Sequence, residues 1–294
     1  WTLPFAAHEF GHLVASEKIR MPQFGTLDIP PYHMQEYISD AFAVYAMGPS
    51  YAYASILMRF DPFQSYLDQR EYPSDAKRVY VILKILEKMQ EKASNSDQTA
   101  KIEMYESVIG GLREEWRSAL DQAKIPEDSV DKNEIKQAKK ILKCLRDNPI
   151  KFSFEKYSNE IRDLKEKLEF LLQDACKADA KRDEDALTEE DRDLLSRLIE
   201  SLWIELDSTI IGYPSHYWQK SKDLGEKLLS NDKVVPSIGM ELRDVLNGAW
   251  YIRVEKPSMT ERIEKNAEDL MKEIIRMQKK GEEIGKSALT IGGF

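Results

Sequence analysis

A chain of 294 residues, 42% apolar and 32% charged, has a globular composition and the length for one sizeable core or two modest ones. Its formal net charge of −9 and pI near 5.2 argue against the basic face that nucleic-acid binding needs, so no nucleic-acid partner is expected. Cys144 and Cys176 lie in separate helical patterns, far from the histidines and without metal-ligand spacing. Such sparse cysteine usage reads as intracellular, here cytoplasmic.

The first predicted element is a helix over residues 4–18. Pro4 suits a first turn, where its missing N–H is no loss, and Phe5, Ala6, Ala7, Phe10, Leu13, Val14 and Ala15 supply apolar surface. Inside it, His8-Glu9-Phe10-Gly11-His12 reads H-E-x-x-H. Histidines four apart on a helix project from one face, which suits two nitrogen ligands on one Zn²⁺. Glu9 stands beside them to take a proton from water on the metal. Gly11 would cost about 1 kcal/mol relative to Ala in an exposed helix, so it marks a place where another backbone or a substrate comes close. A surface helix with two solvated histidines is the weaker alternative.

A loop containing MPQFGTLDIPPY follows and is expected on the surface near the metal. The second helix, 33–47, carries Glu36 and Asp40 as E-x-x-x-D, beginning 24 residues after His12. Glu36 offers a third metal ligand, and Asp40, one turn on, an acceptor for the free N–H of a ligating histidine. His33 either faces the metal or stands by; a bystander is preferred.

Together the two motifs resemble the gluzincin metallopeptidases, in which a helix bearing H-E-x-x-H is followed by one bearing E-x-x-x-D. That resemblance implies His8, His12 and Glu36 as zinc ligands, Glu9 as catalytic base and Asp40 as partner of a ligating histidine. The run Glu36 to Ala43, EYISDAFA, is similar to E-x-x-A-D/N-x-F-A stretches of the cytoplasmic ImmA/IrrE-like and the M48-like peptidases. Tyr72 to Arg78 is similar to an H-P-x-x-x-x-R segment of the latter, with Tyr72 where they carry His. The resemblance covers about residues 4–80. Zincins generally have strands before the metal helix, whereas seven residues precede His8 here. Either an N-terminal piece with a small sheet is missing, the preferred reading, or helices and loops alone build the cleft.

Residues 41–58 hold no charge over 18 positions, the lower limit for a membrane span. Gly48-Pro49 interrupts them, so two buried helices meeting at a corner are expected, the second running from Ser50 to about Phe60. A membrane-embedded protease is the less favoured alternative. Ser74 is expected to N-cap a helix over 75–93 with Val79, Ile82, Leu83, Leu86 and Met89 on one stripe. Arg78 on that helix either orients an acidic group or, more commonly, is a solvated charge.

Long amphipathic helices follow. Residues 100–123 carry Ile102, Tyr105, Ile109, Leu112, Trp116 and Leu120, and residues 154–178 hold a three-four spaced seam from Phe154 to Ala175. An intrachain helical hairpin is preferred to an intermolecular coil. Residues 177–187 read as a charged turn, and Thr188-Glu189-Glu190-Asp191 as a capping box. Gly212 to Trp218 forms an aromatic loop in which Tyr213, His216 and Tyr217 are candidates to stabilise an oxyanion opposite the metal; an aromatic packing plug explains it equally well. Helices over 237–253 and 259–280 and a frayed terminus complete the pattern, with Trp116, Trp203 and Trp250 as core.

The fold class is therefore mainly α: zincin-like metal-site helices packed with a long-helix bundle or coiled-coil hairpin. The expected organisation is 1–95 for zinc binding and catalysis, 96–210 for the long helices, and 211–294 returning to the site. The leading function is a zinc metallopeptidase acting on a peptide or protein substrate. The competing one is a helical interaction or regulatory protein with a structural, sensory or degenerate zinc site, using the long helices to hold a protein partner.

Overall fold

Ten consecutive residues of one helix, Glu36 to Tyr45, are buried, and a helix buried all round must lie at the centre of its neighbours. That helix is α2 (Pro31–Met47) in a computed structural model that describes residues 2–17, 27–62, 65–94, 99–123, 183–209, 212–213, 217–230, 233–237 and 239–291. Among the described residues the protein has nine α-helices and no strand. Besides α2 they are α1 (Phe5–Glu17), α3 (Pro49–Ala54), α4 (Asp75–Ser94), α5 (Thr99–Ala123), α6 (Glu189–Thr209), α7 (Tyr217–Leu228), α8 (Leu242–Glu255) and α9 (Thr260–Ile291).

On one side of α2 lies α1, on the other α4, which also packs against α5 and α6. The larger core draws on α1 through α6 and on Trp250 of α8; Ile38, Val81, Ile85, Leu86, Leu198 and Leu202 are sealed within it. A smaller core joins α7, α8 and α9 through Leu228, Val245, Ile252 and Ile263. Thus α8 serves both. Helices α7 and α8 meet backbone to backbone, because a Cβ on Gly248 would stand 2.4 Å from the Ser221 carbonyl oxygen.

The uncharged stretch resolves into the expected corner. α2 ends at Gly48, whose φ of 69° favours glycine and whose N–H bonds the Val44 carbonyl at 2.8 Å; Pro49 then opens α3. Asn247 of α8 fastens this corner, accepting the Ser50 N–H and donating to the Met47 carbonyl, at 2.8 and 2.7 Å. Among the described residues no helix is long and apolar enough to cross a membrane. The helix expected to reach Phe60 instead widens into a π-helical turn over Ser55–Arg59.

Several sequence expectations are met locally. Val79, Ile82, Leu83, Leu86 and Met89 are buried on α4, as are Ile109, Leu112, Trp116 and Leu120 on α5. Thr188 and Asp191 form the reciprocal box, each side chain accepting the other's N–H at 3.1 Å. Ser74 differs: its carbonyl accepts the Lys77 and Arg78 N–H groups, while its hydroxyl is buried without a hydrogen bond. It ends the preceding loop without capping through its side chain. Trp250 is core and Trp203 only half-buried against Tyr45. Helix α9 continues to Ile291, beyond the expected end at residue 280. The seam at 154–178, Cys144 and Cys176 lie outside the described residues.

Helix α1 comes close to α2 at Gly11, where a Cβ would sit 2.7 Å from the Ser39 Cα. The atom in the way is backbone and cannot swing aside. Gly11→Ala should therefore destabilise the fold by about 1–3 kcal/mol despite the better helix propensity of alanine, as read from chemical denaturation.

Candidate metal centre

Helices α1 and α2 run antiparallel, since His12 meets Glu36, Gly11 meets Ser39 and Phe10 meets Phe42. The histidine pair, one turn apart, places its rings 4.9 Å apart and nearly perpendicular. Glu36 lies across from both: its Oε2 is 3.4 Å from His8 Nε2, and its Oε1 is 3.5 Å from His12 Nε2. One ligand atom from each of the three lies within 4.8 Å of the others. His8 and Glu36 are buried, whereas about a third of the His12 side chain (32%) remains accessible. The group is able to hold a metal ion.

The donors fit that use. Two imidazole nitrogens and a carboxylate oxygen form a set that divalent transition metals accept. Glu36 Oε2 is buried with no hydrogen bond, although Arg78 Nη2 stands 3.1 Å away as an ion-pair partner. A buried carboxylate oxygen left without a hydrogen bond requires an explanation, and a cation among these three side chains supplies one.

Asp40 organises the buried side of the centre. Its Oδ1 accepts from His8 Nδ1 at 2.8 Å, from the Tyr51 hydroxyl at 2.5 Å and from Arg78 Nη2 at 2.8 Å; its Oδ2 accepts from Arg78 Nε at 2.7 Å. Donation from Nδ1 assigns the His8 tautomer and leaves the Nε2 lone pair of the neutral ring facing Glu36. Tyr51, on α3, also lies with its oxygen 3.1 Å from Nδ1 and its ring parallel to the imidazole. Burial alone would raise the Asp40 carboxyl pKa, but Arg78 and His8 hold it far below the usual carboxylate range. Burial likewise opposes charge on Glu36, yet His8 and Arg78 lower its pKa. For His8, burial disfavours the imidazolium, but the bond to Asp40 and the neighbouring Glu36 carboxylate outweigh it and raise its pKa. The pocket is thus electrostatically suited to positive charge beside His8.

Arg78 corrects the expectation of a solvated charge. It is 3% exposed, forked onto Asp40, and lies over the Phe60 ring at 5.0 Å. The residues at 78, 82, 85 and 89 are all buried, so the helical period placed this arginine on the apolar stripe of α4. That was the signal sequence reasoning passed over.

The remaining candidates separate clearly. His33 hydrogen-bonds through Nε2 to the Gln69 carbonyl at 2.8 Å, which is the bystander role. Glu9 is exposed on α1. Tyr213 is buried, with its ring against Gly48, its N–H on the Tyr45 carbonyl and its hydroxyl 2.6 Å from Ser221 Oγ. That is the packing role, and no oxyanion role is proposed for it. Tyr217 begins α7 with its side chain outside the described part, and His216 lies outside the described residues.

Removing Arg78 should leave Asp40 buried without its main counter-charge. Arg78→Gln is expected to lower stability by about 3–5 kcal/mol and to weaken Zn²⁺ binding roughly 10–100-fold, measured by thermal unfolding and by metal titration on the folded fraction. Arg78→Lys, which keeps charge but not the two-pronged geometry, should recover part of the stability and less of the affinity.

Asp75, at the start of α4, accepts the Asp61 N–H at 2.9 Å. Burial raises its pKa to about 6, against the lowering effects of that N–H and of Arg78. A carboxyl whose folded pKa is raised favours the native state below its ordinary value, and loses that advantage as pH climbs to the folded value. Asp75→Asn retains an acceptor and removes the charge. The variant should gain thermal stability over wild type at about pH 7 and show no gain near pH 4, as a melting series across that range would reveal.

No protein-family model, curated protein or solved structure matches the chain.

Proposed function

We propose that this chain is a zinc-dependent metallopeptidase. The observation that carries the reading is the convergence of ligand atoms from His8 and His12 of α1 and Glu36 of α2 within 4.8 Å of one another, with Glu9 exposed on the helix of the two histidines. Zn²⁺ held by those three side chains would supply Lewis acidity, polarising a substrate carbonyl and making water a nucleophile near neutral pH.

The chain's own groups do the rest. Glu9 accepts a proton from the attacking water as its oxygen bonds to the carbonyl carbon, and delivers that proton to the amide nitrogen as the C–N bond breaks. Asp40 keeps His8 in one tautomer and one orientation, so that Nε2 remains a ligand. Arg78 balances the two carboxylates of α2 and prevents Glu36 and Asp40 from repelling each other out of position.

Protein purified from zinc-containing medium should carry about one Zn²⁺ per chain. Glu9→Gln should keep that content and the wild-type melting temperature while hydrolysis of an unfolded protein substrate falls at least ~100-fold. Metal-loaded wild type that leaves such substrates and a diverse peptide library intact would favour the regulatory reading, as would a Glu9→Gln variant that matches it. Absence of bound metal in folded protein would remove the peptidase reading and leave the regulatory one only with a degenerate site.

A further inference from the structure

The described structure contains a groove that none of His8, Glu9, His12 and Glu36 lines and that nothing in the proposed hydrolysis uses. Its volume is about 490 Å³, within the range typical of ligand-binding clefts, about 300–1,000 Å³. Leu57 of the π-helical turn, Val108 and Leu112 of α5, and Tyr251 and Val254 of α8 give it apolar walls. Leu57 and Val254, 197 positions apart in sequence, are brought to one mouth, where they are 40% and 43% exposed. Single exposed aliphatic residues are unremarkable; two from different elements flanking one cleft form a receptive surface.

The rim is acidic. Glu114, Glu115 and Glu255 line it, and none has an ion-pair partner among the described residues. Lys222 is the one cation of the lining, and its ammonium lies over the Tyr251 ring at 5.3 Å. Three carboxylates against one ammonium leave the lining with a net charge of −2. Arg253, close by on α8, faces the Trp250 ring and Met58.

The backbone of α5 adds an independent feature. Gly110 and Gly111 sit side by side in a helix interior, where each is a weak helix former. Neither is demanded by packing, because a Cβ at either would meet nothing within 4 Å. Neither adopts the positive φ that would call for glycine. What Gly111 does is leave the floor of the groove bare, so that a guest side chain can lie against the helix backbone.

We propose that this groove docks a basic amphipathic peptide segment of a partner protein, its aliphatic side chains entering between Leu57 and Val254 and its lysines or arginines meeting Glu114, Glu115 and Glu255. Charge complementarity selects this occupant: an acidic or neutral segment would leave the three carboxylates uncompensated. The assignment concerns binding alone and is independent of the proposed hydrolysis.

The test uses the full chain with two fluorescent peptides of identical apolar spacing, one lysine/leucine and one glutamate/leucine, followed by anisotropy. The lysine/leucine peptide should bind saturably with one site per chain, and raising salt from low to high should weaken it ~10-fold or more. Gly111→Leu, which fills the groove, and Glu114→Gln/Glu115→Gln, which strips its rim without touching the core, should each weaken binding at least ~10-fold. A control, Glu268→Gln/Asp269→Asn on exposed positions of α9, should bind as wild type. No saturable binding, equal binding of the glutamate/leucine peptide, unchanged affinity in both groove variants, or an equal loss in the α9 control would each overturn the proposal. Should Gly111→Leu fail to fold, the Glu114→Gln/Glu115→Gln comparison alone decides.

Discussion

A guanidinium buried between α2 and α4 fixes the geometry of the candidate metal centre. Arg78 touches both carboxylates of the E-x-x-x-D motif, forked onto Asp40 and 3.1 Å from Glu36. Two carboxylates one turn apart on a central helix would otherwise repel each other in a low-dielectric setting, and each would resist burial. A single fixed cation lets both remain charged. It also locks α4 to α2, so the stripe that seals the larger core and the group that balances the site belong to the same helix. Stability and site geometry are therefore coupled through one side chain, which exceeds what an exposed ion pair can do.

From Arg78 the order passes outward through Asp40. One oxygen of that carboxylate gathers donors from α1, α3 and α4, through His8, Tyr51 and Arg78. Each approach has a local cause in the chain. Gly11 lets α1 close on α2, and the Gly48–Pro49 corner turns the chain so that α3 can place Tyr51 against His8. Asn247 holds that corner from α8, which ties the C-terminal helices to the metal side of the molecule. The corner also packs Tyr213 into the body of the protein.

How much of this was legible in the sequence follows from the range of each interaction. The histidine pair and the E-x-x-x-D pair are one-turn spacings, and local periodicity reveals them directly. Gly11 was legible because a glycine in an apolar helix asks for a close neighbour, and Ser39 is that neighbour. Arg78 was less legible because a lone charge on an amphipathic helix is usually solvated, although this one shares the helical face of Ile82, Ile85 and Met89. Tyr51 lay beyond reach: nothing local distinguishes a tyrosine that bonds a histidine 43 residues earlier from one that fills space. Ser74 shows the opposite failure. Its type and position match a cap, but burial of its hydroxyl decided the outcome, and propensity carries no information about burial.

The centre is asymmetric, and the asymmetry bears on its chemistry. His8, Glu36, Asp40, Tyr51 and Arg78 are buried and mutually bonded, whereas His12 is partly open and Glu9, Phe10 and Leu13 are exposed, the latter two at 56% each. A group meant only to pin two helices together would gain from closure on every side, as structural metal sites do. A group that must admit water and a polypeptide needs one rigid wall to keep the ligands aligned and one open wall beside its base. Here the rigid wall is charge-balanced and bonded through three helices, while the open wall carries the acid–base candidate flanked by bulky apolar side chains. In the proposed reaction a substrate would approach from this open wall of α1, where Glu9 is exposed beside Phe10 and Leu13.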